Sequence, residues 1–114
     1  MRLNLDIQKT IDEVKFFFRA NSYDNKTITR YALLLEEALL AYRDDPAFDT
    51  FTVTYKKSIN SVTVKVIVPG KPLNPAKNNR IIEKILDGME SPPKWSYRNG
   101  KNVIVYKAVP QISI

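Results

Sequence analysis

From Phe51 onward the apolar residues fall at every second position. Phe51, Val53 and Tyr55 alternate with Thr52, Thr54 and Lys56, and Val62, Val64, Val66 and Val68 alternate with Thr63, Lys65 and Ile67. A period of two predicts strands with one buried face, and Ser58 to Ser61 supplies the turn that folds the two runs into a hairpin. Before Phe51 the period is helical. Ile7, Ile11, Val14 and Phe18 recur at spacings of four, three and four, which predicts an amphipathic helix over 7–20. Ahead of it, Leu3 and Leu5 alternate with Arg2 and Asn4 and predict a short strand, with Asp6 as the helix cap. After a polar break at Asn21, Ser22, Asp24 and Asn25, a second helix is expected from near Thr27 to about Arg43, closed by Asp44, Asp45 and Pro46.

Three prolines in the run Pro69-Gly70-Lys71-Pro72-Leu73-Asn74-Pro75 forbid helix and ladder alike, so this stretch is an ordered loop or a linker. Asn78 or Asn79 can cap a third helix, whose apolar positions Ile81, Ile82, Ile85, Leu86 and Met89 follow helical spacing. A last hairpin joins Trp95 and Tyr97 to Val103 and Val105 through Asn99-Gly100, the strongest short turn signal in the chain. The order of elements predicts an α+β two-layer sandwich: about three helices on one face of a mostly antiparallel, partly mixed sheet of four or five strands. The whole of 1–114 reads as one domain, which a larger protein could also contain. The sheet face away from the helices would carry Thr52, Thr54, Lys56, Thr63, Lys65, Ser96 and Arg98.

Composition narrows the chemistry. The chain has no Cys and no His, which excludes zinc fingers, haem and iron–sulfur ligation, cysteine nucleophiles and serine–histidine triads. No apolar run approaches the roughly 20 residues of a membrane span, so no membrane insertion and a cytoplasmic location are expected. The net charge of +6 is unevenly placed: residues 1–50 hold 7 basic and 9 acidic side chains, residues 51–114 hold 11 and 3. That excess raises a nucleic-acid reading, in which Lys56, Lys65 and Arg98 meet phosphates and Tyr106 or Trp95 stacks on bases. The alternative is a solvated face kept from aggregating by its lysines.

On a helical wheel the second helix is apolar on two sides. Ile28, Tyr31, Ala32, Leu35, Ala38, Leu39 and Tyr42 form the core stripe, while Leu33, Leu40 and Ala41 lie opposite and surround Glu37. The opposite side is therefore expected to be half-buried, as the floor of a pocket or an interface. Glu37 is then either a solvated or salt-bridged helix residue or a general base aimed into a cavity.

The segment Leu34-Leu35-Glu36-Glu37-Ala38-Leu39-Leu40-Ala41-Tyr42 resembles the helix bearing the N box of the histidine-kinase/gyrase-type (GHKL) ATPase superfamily, particularly its anti-sigma-factor kinase branch. Val66-Ile67-Val68-Pro69-Gly70-Lys71-Pro72-Leu73-Asn74-Pro75 is similar to the strand and loop of that family's first glycine box. Residues 81–86 resemble the helix after its second glycine box, and 95–107 its closing hairpin. The resemblance implies a Bergerat-like fold and a nucleotide pocket whose vestiges are Ala41, Val68, Gly70, Lys71, Asn74, Lys77 and Arg80, with Glu37 as a vestigial general base. It also implies Mg-ATP or Mg-ADP as ligand, but Ala41 stands where the family's magnesium-binding Asn belongs and Val68 where its adenine-binding Asp belongs. No glycine occurs between Gly70 and Gly88 to build a phosphate lid. The expectation is a pseudoenzyme with no cofactor and no metal site. It would be a regulatory module that binds another protein, a fused domain or a second copy of itself. An atypical ATP-binding anti-sigma-like kinase and a nucleic-acid-binding domain are the alternatives.

Overall fold

Side-chain caps set where the helices begin. The Asp24 carboxylate accepts a hydrogen bond from Thr27 N at 2.9 Å and opens α2 (Asn25–Arg43), and Asn79 accepts from Ile82 N at 3.0 Å to open α3 (Arg80–Leu86). Hydrogen bonding to Thr27 holds the Asp24 carboxyl below its ordinary pKa. The computed structural model describes residues 2–89 and 91–109. The remaining elements are α1 (Arg2–Ala20), β1 (Thr52–Lys57), β2 (Val62–Pro69), β3 (Lys94–Arg98) and β4 (Lys101–Ala108). The strands form one sheet in the order β1-β2-β4-β3, every pair antiparallel, with the three helices on one face. The fold is thus the α+β sandwich that the periodicity predicts.

Three details differ from the sequence reading. Residues 3–5 belong to α1 and not to a strand, because residues 3 and 7 continue the four-residue helical spacing that a four-residue alternation cannot outweigh. Asp6 therefore sits inside a helix and caps nothing. In the last hairpin Trp95 pairs with Ile104 and Tyr97 with Asn102, so Val103 and Val105 point to the outer face. Both phases of β4 are apolar there, and only the partner strand decides between them. Finally, α3 ends at Leu86, which leaves Met89 beyond it, and Ile81 within α3 is 49% exposed.

The core lies where α1 and α2 cross the centre of the sheet. Ile7, Ile11, Val14 and Phe18 from α1 meet Ile28, Tyr31, Ala32, Leu35 and Leu39 from α2. Beneath them lie Val62, Val64, Val66 and Val68 of β2 and Ile104, Tyr106 and Ala108 of β4. Burying a valine completely contributes about 1.5–3 kcal/mol, so this row of four is a major part of the cohesion. The Phe18 ring has no exposure and stacks on Tyr31 at 5.2 Å while Tyr23 meets it edge-on at 5.3 Å. Tyrosine hydroxyls then tie the helical layer to the chain below. Tyr23 Oη donates to Ala108 O at 2.7 Å, Tyr31 Oη to Lys107 O at 3.2 Å, and Tyr42 Oη to Leu73 O at 2.7 Å.

Ser22 ends α1 with φ 67°, in a Schellman arrangement where Tyr23 N donates to Phe18 O and Ser22 N to Arg19 O. Because only glycine occupies that conformation without strain, Ser22→Gly should raise the unfolding free energy by about 0.5–1 kcal/mol in a urea titration. Burial raises the pKa of Tyr31, Tyr42 and Tyr106 and pushes Tyr55 up to about 12. Their neutral forms are favoured in the folded state, so this stability is complete below the ordinary tyrosine value near 10 and is lost as pH rises above it. The urea midpoint should be flat from pH 7 to about 9 and fall steeply by about pH 11, with tyrosinate absorbance appearing together with unfolding.

Candidate functional site

The site implied by the resemblance lies where α2 passes over the end of β2 and the loop 69–79. Gly70 turns the chain out of β2 with φ +139°, a conformation that L side chains rarely adopt, and nothing lies within 4 Å of where its Cβ would be. Gly70 N donates to Gly100 O at 3.0 Å, and Gly70 O accepts from Tyr97 Oη at 2.7 Å. Asn99 (φ 53°) and Gly100 (φ 74°) form the turn that brings that partner into place, both with the positive φ of a type I′ hairpin.

Asn102 is the residue on which this corner hangs. It is 1% exposed, and all its polar capacity is used. Its Oδ1 accepts from Leu73 N at 2.8 Å and from Trp95 Nε1 at 3.2 Å, and its Nδ2 donates to Lys71 O at 2.9 Å and Val68 O at 3.2 Å. One side chain therefore fixes the end of β2, the proline loop and the tryptophan of β3. Sequence reasoning missed it, although one signal was available: a polar residue in the same phase as Ile104, Tyr106 and Ala108.

Two cavities adjoin this corner. The inner one, between Leu34 and Ala38 of α2, Ile82 and Leu86 of α3, and Trp95 and Tyr106 of the sheet, has a volume of about 30 Å³. That holds about one water molecule. The outer one is a cleft of about 360 Å³ walled by Ala41, Val68, Gly70 and Lys71, with Asp44 and Asp45 on its rim. Of the residues that the resemblance singled out, the structure thus brings together Ala41, Val68, Gly70 and Lys71. Asn74 borders the inner cavity instead and accepts from Ala76 N at 3.1 Å. Lys77 and Arg80 are exposed and line neither space. Glu37 is half-buried on α2 and lines neither cavity, while Leu33 beside it is 37% exposed.

The basic residues Lys56, Lys65 and Arg98 do share the outer sheet face, as the register places them. The stacking partners do not. Tyr106 is 3% exposed beneath the helices, and Trp95 pairs with Ile104 in the inward phase. No group of His, Cys, Asp or Glu able to hold a metal ion occurs among the described residues, and no helix there is long and apolar enough to cross a membrane. Comparison with known proteins gives no match to a protein-family profile, a curated protein or a solved structure.

The clamp can be tested by changing one atom. Asn102→Asp keeps the volume but turns a carboxylate oxygen toward the Lys71 and Val68 carbonyls, replacing two attractions by repulsion. Burying that charge should cost about 3 kcal/mol or more at pH 7. Part of the loss should return below about pH 5, because protonation restores one donor. Thermal melts at the two pH values measure this.

Proposed function

We propose that this chain is a non-catalytic protein-interaction module on a GHKL-like scaffold, with a regulatory role and no working nucleotide site. The observation that carries the reading is the filled inner cavity. Ligand pockets of nucleotide size need several hundred Å³. Here Trp95, Tyr106, Ile104 and Pro75 occupy the space between α2, α3 and the sheet, and about 30 Å³ remains. The neighbouring cleft is larger but has the wrong chemistry for a triphosphate. Its rim carries the two carboxylates of Asp44 and Asp45 against the single cation of Lys71, and the Asn102 amide at its base is already fully bonded. Val68 presents a methyl-bearing side chain where an adenine would need an acceptor, and Ala41 offers magnesium no ligand.

Apolar surface elsewhere supports the interaction half of the reading. Between α1 and β1 runs an open groove of about 550 Å³ lined by Phe16, Phe17, Ala20 and Tyr55, with Lys9, Asp12 and Glu13 along it. Phe16 is 72% exposed, which a domain closed on itself has no need of.

Isothermal calorimetry with Mg-ATP and Mg-ADP should give no binding tighter than about 1 mM. A micromolar dissociation constant for either would overturn the proposal. Phe16→Ser should leave the thermal midpoint within about 2 °C of wild type, because an exposed ring contributes little to the fold, while Phe18→Ser should unfold the chain.

A further inference from the structure

We propose that the outer face of the sheet is a docking surface for an anionic lipid membrane, bound peripherally and without insertion. The register places Lys56 on β1, Lys65 on β2, Lys101 and Lys107 on β4, and Lys94 and Arg98 on β3, all on this one face. All six are exposed, and none of the strand residues sharing the face is acidic. Half-buried Ile67, Val103 and Val105 form its centre, with Lys65 and Lys94 flanking Val105 in one cross-strand row. Among the described residues no helix or loop covers it.

Charge placement on the face is costly to the isolated molecule. Arg98 and Lys101 are direct cross-strand partners, and like charges at that spacing repel. An anionic plane in contact with the face would turn that repulsion into attraction. The rest of the molecule adds orientation, since residues 1–50, which form α1 and α2, carry 9 acidic against 7 basic side chains. The chain is therefore polarised, with its positive side the open sheet.

The shape of the face selects the partner. A second copy is excluded by charge, because two such faces would set six cations against six. Single-stranded nucleic acid is gripped by aromatic platforms, and the tryptophan and tyrosines of the strands belong to the opposite phase: Tyr55, Trp95, Tyr97 and Tyr106 all point to the helix side. A protein partner binds through anchors seated in pockets, and of the three cavities described above only the outer cleft touches this face, at Pro69 on its margin, away from the Ile67, Val103 and Val105 centre. A lipid surface is planar and diffuse in charge. It needs neither pocket nor ring, only clustered lysines and arginines within a Debye length.

The test is co-sedimentation of the full chain with phosphatidylcholine vesicles, with and without about 30% phosphatidylserine, at about 50 mM salt. Retention is expected on the anionic vesicles alone, and raising salt to about 500 mM should release the protein. Lys65→Glu/Lys94→Glu should weaken retention about 25-fold or more, since each charge near the surface is worth about fivefold. Lys9→Glu/Lys26→Glu has the same net charge but lies on the helices, and should retain most of the binding. Lys56→Gln/Lys107→Gln, at the other end of the face, gives an independent second reading if the first pair fails to fold. Absence of retention at low salt, equal loss from the helix-side control, or tighter binding to an oligonucleotide than to the vesicles would each overturn the proposal.

Discussion

A single buried amide governs the end of this molecule where chemistry would otherwise be sought. Asn102 sits in a phase of β4 that is elsewhere apolar, and burial there without partners would cost several kcal/mol. It is tolerated because four groups converge on it from β2, the proline loop and β3. The dependence runs both ways. The loop 70–75 has no ladder of its own, and its polar groups at Lys71 and Leu73 find their partners in that amide and in the Tyr42 hydroxyl. A loop fastened at both of these points cannot swing to admit a ligand without breaking buried hydrogen bonds, so rigidity and closure of the inner cavity have the same cause.

The helical layer shows a similar economy. Tyr31 and Tyr42 place their rings in the core and Tyr23 packs its ring against it, and each sets a hydroxyl on a backbone carbonyl, so that apolar burial and directional anchoring come from one side chain. Such residues fix the height and rotation of α2 over the sheet more firmly than leucine would. The face of α2 that carries Glu37 is left partly open as a result, with Leu33 exposed and Leu40 and Ala41 half-buried.

Most of the architecture was legible in the sequence because it rests on period and punctuation. The valine row of β2, the Asn99-Gly100 turn and the cap at Asn79 each follow from local rules, and tertiary structure did not override them. The misreadings arose where local signals were ambiguous or too short. Residues 2–5 offer too few positions to separate a strand from the first turn of a helix. In β4, Val103, Ile104, Val105 and Tyr106 are all apolar, so inward and outward phases look alike until β2 imposes its register. The candidate site was legible only as a set of substituted positions. Ala41 and Val68 could be compared residue by residue, but that they line an outer cleft while the rings of Trp95 and Tyr106 fill a separate inner cavity depends on tertiary packing, and no linear pattern encodes that.

The strand order has a consequence for how the chain reaches this structure. The two hairpins are local, yet the central pairing of β2 with β4 joins segments separated by roughly thirty residues or more, and isolated hairpins are marginal in water. Closing that long loop costs more chain entropy than closing either hairpin, so the β2–β4 seam is the least local pairing of the sheet. Until it forms, each hairpin exposes an edge that its neighbour will later cover. The lysines scattered along the strands then act as kinetic guards, keeping half-formed molecules apart while the seam is still open.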